Sequence, residues 1–361
     1  MNSRKEKSFI IISGLIIGIM ASLLTYLGNP QNMGFCIACF IRDTVGALGL
    51  HQASAVQYIR PEIIGIVLGS FICALIFKEF KPKGGSAPLT RFLLGFCAMI
   101  GCLMFLGCPF RMIIRIAGGD LNAIMGLIGF IPGILVGIFF LNRGYSLKRT
   151  YIQPITEGII MPATQVILLA LLAFSPAFIH FTEAGGGPGA KHAAIIISLT
   201  AGLIVGALSQ RTRLCMIGGI RDLVLFKEHK LIWGFIAVLC GCLITNLILA
   251  GITGTSYFAL GFLDQPVAHS DGLWNALGMF LVGLACTLLG GCPLRQLILS
   301  GEGNSDSSVT VLGLAVGAAF AHNFGLASSA AGPTTAGQIA LILCILITVA
   351  IGCINTLGAS K

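Results

Sequence analysis

Long apolar runs dominate the chain, and they leave few folds open to it. They fall at about 9–27, 62–77, 92–107, 121–141 and 159–180, then at about 192–209, 231–251, 273–290, 308–325 and 338–357. One helical crossing of a bilayer needs about 20 mostly apolar residues. The runs are unbroken, whereas a membrane β-barrel would alternate apolar and polar residues in short segments. Only 10% of the 361 residues are charged, and 56% are apolar. A soluble domain usually carries about 25% charge, so there are too few charges to cover a soluble surface. The fold class expected is an all-α polytopic membrane protein with about five spanning helices in each half.

The basic residues cluster between the runs, at Arg4, Lys5 and Lys7, at Lys78, Lys81 and Lys83, at Arg143, Lys148 and Arg149, at Arg211 and Arg213, and at Lys227 and Lys230. That is the pattern of cytoplasmic loops under the positive-inside rule, not a stripe for nucleic acid. The loop 253–271 has no Lys or Arg and falls outside. Both termini, Lys361 included, are expected in the cytoplasm. Residues 9–27 form a run too long for the apolar core of a signal peptide, and are read as an uncleaved first span.

Two short patterns occur twice. Cys36 stands six residues before Arg42-Asp43, and Cys215 stands six residues before Arg221-Asp222, 179 positions later. Cys102-x5-Cys108-Pro-x-Arg111 recurs as Cys286-x5-Cys292-Pro-x-Arg295, 184 positions later. The chain therefore divides into repeats at 1–181 and 182–361. An odd number of spans in each turns the second upside down relative to the first, the inverted-topology layout of many transporters. The shorter pieces 33–50, 109–117, 213–227 and 293–300 are expected to be re-entrant or half helices meeting near the midplane. Irregular backbone is tolerated at that depth only where protein or a cavity surrounds it.

Proline at a first helical position needs no amide partner, which places Cys108 and Cys292 at N-caps. Free N–H groups and the helix dipole favour an anion there, and Arg111 and Arg295 return to the same face three residues on. Cys36 and Cys215, soft sulfur at matched positions, suit a soft ligand. Arg42–Asp43 and Arg221–Asp222 are expected as ion pairs pinning their half helices, because charge at this depth is costly unless paired. Cys102 and Cys286 either line the path or pack in the core. Glu62 and Asp120 are read as helix-start acids, and His322–Asn323 as a buried polar contact between helices. Cys73, Cys97, Cys240, Cys242, Cys344 and Cys353 have no matched motif and are expected to be core cysteines.

Cys36-x-x-Cys39 also has the form of a redox motif, but Gly218 stands where Cys39 would repeat. Three functions stay open at this point. One is a transporter of a small soft chalcogen anion, another a membrane thiol–disulfide oxidoreductase using Cys36 and Cys39, and the third a soft-metal transporter. No Walker A, Rossmann or haem motif is present, so neither a cofactor nor ATP coupling is expected.

On the paired Gly-Cys-Pro-x-Arg and Cys-x5-Arg-Asp motifs the chain resembles the YeeE/YedE family of sulfur-compound membrane transporters. Residues 36–51, 58–65, 118–124 and 321–329 resemble its YedE branch, which is associated with selenium. The resemblance implies an hourglass-shaped inner-membrane protein whose re-entrant loops face each other. It implies that Cys36, Cys108 and Cys292, with Cys215 as the inner counterpart of Cys36, pass the anion along by S–H···S contacts. Cys39, Cys102 and Cys286 are added near those positions, which sets thiosulfate against a softer solute. A cytoplasmic sulfur- or selenium-transfer protein is the macromolecular partner such a transporter would serve.

Overall fold

The computed structural model describes residues 3–357; the expected cytoplasmic placement of Lys361 lies outside them. The first half holds α1 (Ser3–Tyr26), α2 (Ile37–Ala47), α3 (Pro61–Ile76), α4 (Pro88–Phe105), α5 (Pro109–Ala117), α6 (Asn122–Asn142) and α7 (Ile155–Phe174). The second holds α8 (Ile195–Thr212), α9 (Met216–Phe226), α10 (Lys230–Thr253), α11 (Gly272–Leu289), α12 (Pro293–Gly301), α13 (Ser305–Asn323) and α14 (Thr335–Leu357). Lengths match across the halves where the motifs lie: α2 and α9 have 11 residues, α4 and α11 have 18, and α5 and α12 have 9. A two-residue antiparallel ladder, β1 (Lys83–Gly84) with β2 (Tyr151–Ile152), ties two loops together.

The protein is a multi-pass membrane protein. Among the described residues nine stretches are long and apolar enough to cross a bilayer, where the sequence suggested about ten. The tenth, α13, opens on Ser305-Asp306-Ser307-Ser308, which dilutes its apolar character. Exposed Ile, Leu and Phe side chains cover the outer surfaces of the long helices, as lipid-facing positions require.

Loop contacts define two faces. On one, Glu6 pairs with Lys230, Glu79 with Arg211, and Lys83 bridges to Asn304. On the other, His180 N–H donates to Ala47 O, Gln31 donates to Ser256 O, and Leu121 N–H donates to Gly261 O. Helices pair across the halves as α1 with α10, α3 with α8, α4 with α13 and α6 with α11. Exchanging each helix for its counterpart seven places away turns these pairs into one another. Glycines carry the crossings. A Cβ on Gly65 would sit 2.5 Å from Leu199 O, and one on Gly202 would sit 2.5 Å from Glu62 O. Small residues four apart let backbones approach where no apolar driving force separates helix from lipid.

The four short helices are where the fold positions its chemistry. Each begins in the interior after a cysteine and ends at a face. α2 and α5 end beside residues 180 and 261, on one face, while α12 ends beside Lys83, on the other. All four pieces read from the sequence as half helices are present, within a few residues of the expected bounds.

Candidate functional site: two thiol clusters at half-helix N-termini

Cys36, Cys108, Cys215 and Cys292 are each the N-cap of a short helix. Cys36 and Cys215 cap through sulfur: Cys39 N–H donates to Cys36 Sγ at 3.3 Å, and Gly218 N–H donates to Cys215 Sγ at 3.4 Å. Cys108 and Cys292 are caps by backbone position, each followed by proline, but their sulfurs do not close the cap. They turn to the facing half helix instead. Cys108 lies within hydrogen-bonding reach of Cys36, and Cys292 within reach of Cys215. Cys292 N–H also donates to Cys215 Sγ at 3.4 Å. The same sulfurs face backbone N–H groups of the facing half helix: that of Ala38 for Cys108, and that of Met216 for Cys292. Each half helix thus points the positive end of its dipole at the other's cysteine.

Cys39 joins the first cluster, its side chain beside Cys36 and its backbone N–H donating to Cys36 Sγ. Cys102 lies in the neighbourhood of Cys36, Cys39 and Cys286, and Cys286 in that of Cys215. The two cysteines left open in the sequence therefore stand between the clusters. All seven thiols are buried, the most accessible being Cys215 at 5%. The sulfurs are free, not paired in disulfides.

The arginines of the motif do not do what their spacing suggests. Arg111 is fully buried, and its guanidinium turns away from Cys108. Nε donates to Asn32 O at 2.9 Å, Nη1 to Leu106 O, and Nη2 to Pro266 O and Val267 O at 3.3 and 3.2 Å. Its sulfur contact is Cys39, at 3.9 Å. These partners occupy its donors, but all are neutral, and among the described residues no carboxylate pairs with Arg111. Arg295 instead reaches Glu302 at 3.0 Å.

Both expected ion pairs form, in different surroundings. Arg42–Asp43 is 2.6 Å long and sealed, whereas Arg221–Asp222, at 2.8 Å, has side chains 26% and 20% exposed. Sequence reasoning missed that Arg60 completes the first: its Nε donates to Asp43 Oδ2 at 2.8 Å, and its other nitrogens donate to Lys191 O and Pro188 O. It also missed Arg115–Asp120, 2.6 Å and fully buried. Asp120 does act as a helix-start acid, accepting from Asn122 N–H at 2.9 Å. Glu62 stands in the first turn of α3, held by Asn29 and Ser198, and is fully buried. His322 stacks on His51 with ring centres 4.7 Å apart, while Asn323 donates to Leu50 O. Of the unmatched cysteines, Cys97 and Cys344 lie side by side between α4 and α14, and Cys353 is exposed on α14 rather than in the core.

Known proteins enter on this geometry. Residues 211–355 match a family model described as sulphur transport. A stretch of 112 residues is 28% identical to the thiosulfate transporter TsuA of Escherichia coli K12, covering 30% of this chain and 29% of that protein. Another of 94 residues is 32% identical to the uncharacterized protein MJ1590 of Methanocaldococcus jannaschii, covering 23% of this chain but 89% of that protein. MJ1590 is thus matched almost whole by less than half of this chain. The matched region holds Cys215, Cys286, Cys292 and the half helices α9 and α12, which ties the family signal to the thiol site. With its paired Cys-Pro and Cys-x5-Arg-Asp half helices, the chain belongs to the YeeE/YedE sulphur-transport family.

Proposed function

We propose that this protein is a transporter that carries a small soft sulfur or selenium anion across the membrane by way of its buried thiols. The single observation that carries the reading is the meeting of four half-helix N-termini at two thiol clusters joined by Cys102 and Cys286. Helix N-termini attract an anion, and sulfur offers it weak, polarisable contacts that it can leave again. The solute enters near Cys36, passes Cys108 and Cys292, and leaves past Cys215. The sealed thiols make the arrangement a closed one, so passage needs movement of the half helices at each end. The names of the matched family and of TsuA support sulfur compounds as the cargo. The halves 1–181 and 182–361 act as inverted repeats in the cell inner membrane, with the Glu6 and Lys230 face in the cytoplasm. There a sulfur- or selenium-transfer protein would receive the cargo.

The rival reading, a thiol–disulfide oxidoreductase, has one observation in its favour: Cys36 caps the helix that carries Cys39, accepting from its N–H, so the two thiols are neighbours. Both are fully buried, which denies a redox protein access. No observation favours the soft-metal reading. The test uses purified protein in proteoliposomes with labelled thiosulfate, selenite and hydroselenide. Uptake of at least one, retained in Cys39→Ser, supports transport. Complete loss in Cys39→Ser, together with dithiol oxidation in the wild type, supports the oxidoreductase.

A further inference from the structure

We propose that residues 263–268 form a strap that shuts the first thiol cluster, and that an arriving anion opens it by taking the Arg111 guanidinium from the carbonyls that hold the strap down. The inference rests on the transport reading and gives that path its gate beside Cys36, Cys39 and Cys108.

The strap hangs between two anchors. On one side Ala259 N–H donates to Gly118 O at 2.9 Å, Gly261 N–H to Gly119 O at 3.1 Å, and Asn122 Nδ2 to Phe262 O at 2.7 Å, which ties the loop to the end of α5 and the start of α6. On the other, His269 Nε2 lies 2.8 Å from Met104 O, and Asn275 Nδ2 donates to His269 O at 3.0 Å. Among the described residues, the hydrogen bonds that join the strap between these anchors to another element are those of Arg111 Nη2 to Pro266 O and Val267 O, at 3.3 and 3.2 Å. Pro266 and Val267 are partly exposed, Arg111 is fully buried behind them, and Cys39 Sγ lies 3.9 Å from Arg111 Nη1. From solvent inward the order is strap, guanidinium, thiol.

Closure is strained, and its latch can be displaced. Val267 has φ 51°, in the left-handed region that a β-branched residue rarely enters, and Asp264 has φ 55°. Such a conformation persists only where the surroundings impose it, and here the guanidinium bonds do so. Gln265 Oε1 and His269 Nδ1 are buried without partners, a further cost of the closed form. Arg111 donates to neutral carbonyl oxygens, whereas a charged acceptor makes a hydrogen bond roughly twice as strong. An anion therefore offers Nη2 a better partner than Pro266 and Val267 do, and the freed valine relaxes.

The other end of the path lacks this device. Pro82 and Lys83 precede α4 at the places where Pro266 and Val267 precede α11. Pro82 O accepts from Gln153 N–H at 3.1 Å, Lys83 pairs with Ile152, and Arg295 turns to Glu302.

The test places a maleimide-linked fluorophore on Asp264→Cys, in protein with Cys353→Ala, and follows strap mobility by anisotropy; protein without Asp264→Cys supplies the background. Thiosulfate, selenite and hydroselenide are added in turn under anaerobic conditions, with potassium gluconate at equal ionic strength as control, and uptake of each is followed in proteoliposomes. An anion that is carried should lower the anisotropy, and gluconate should not. Arg111→Lys keeps the charge but loses the fork that spans both carbonyls. Its strap should be mobile without any anion, and its response to anions should vanish, which a merely structural role would not produce. Cys39, located by peptide mass, should react with a small thiol reagent about tenfold faster in this variant, the effect of losing one charge-assisted hydrogen bond. If Arg111→Lys fails to fold, the anion response of the labelled protein with Arg111 intact decides alone. A protein that carries one of the three anions while its strap stays still overturns the inference and leaves the transport reading standing. Strap movement with no uptake of any of them overturns the transport reading alone, and neither movement nor uptake overturns both.

Discussion

Asp43 and Asp222 stand at equivalent positions of the repeated motif, but their surroundings set them apart. Asp43 is shared by Arg42 and Arg60, with no exposure of its side chain. Asp43→Asn leaves two buried guanidinium groups without a counter-charge, and breaking a buried pair costs about 3–5 kcal/mol. Asp222→Asn acts on a pair that water reaches, where the loss should be about 0–1 kcal/mol. Thermal unfolding in detergent compares them: Asp43→Asn should lower the midpoint far more than Asp222→Asn, and equal losses would remove the distinction. The thiols behave differently again. Cys108→Ala and Cys292→Ala each delete one sulfur and little packing, so stability should change by about 1 kcal/mol or less. Uptake should nevertheless be mostly lost. Serine restores a cap acceptor but not a polarisable sulfur, so Cys108→Ser should rescue poorly. Wild-type uptake in the serine variants would mean that the thiols act only as small packing groups. The motif spacing made these cysteines legible, because each precedes a helix start. The ion partners were not legible: Arg60 comes to Asp43 from 17 residues away, and Arg115 intercepts Asp120, so only the folded loops decide which acid meets which base.

Helix positions followed from apolar runs and proline starts, and they came out within a few residues. The partners of those helices did not. Runs of similar hydropathy say nothing about which helix faces which, and in lipid no apolar stripe marks the buried side. The pairing of α3 with α8 instead rests on Gly65 and Gly69 against Gly202 and Gly206. A Cβ on Gly69 would collide with the Leu203 carbonyl, which belongs to the backbone and cannot rotate away. Gly69→Ala must therefore push the helices apart, and overpacking of this kind costs about 1–3 kcal/mol. Gly251, near the end of α10, has nothing within 4 Å of the position a Cβ would take. Gly251→Ala should be neutral or slightly stabilising, since alanine is the better helix former. Unfolding midpoints of the two variants check this. A Gly69→Ala protein as stable as Gly251→Ala would mean that the α3–α8 crossing is looser than described.

At the scale of the molecule, the orientation depends on charge on one face rather than on any single contact. Lys83 stands beside Asn304 and Ile152, Lys230 beside Glu6, and Arg211 beside Glu79, so the basic loops of both halves gather on one face. The opposite face carries Glu183, Asp264 and Asp271. Lys and Arg near short loops hold a segment in the cytoplasm during insertion, and here the bias of the two halves agrees although α1 and α8 begin on opposite faces. Reporter fusions should therefore place Lys83 and Lys230 inside and Gly187 outside. The same asymmetry appears in the half helices. α2 is buried along its whole length, whereas α9 is only half-buried beyond its first turn, with Val224 and Phe226 exposed. The cluster at Cys215 and Cys292 therefore has the thinner cover, and a gate there needs the smaller movement. Cys215 should react with a small thiol reagent from the cytoplasmic side faster than Cys36 reacts with the same reagent from outside, with Cys353 blocked beforehand by alanine. Faster labelling of Cys36 would place the easier opening at the outer cluster and reverse the order in which the two ends yield.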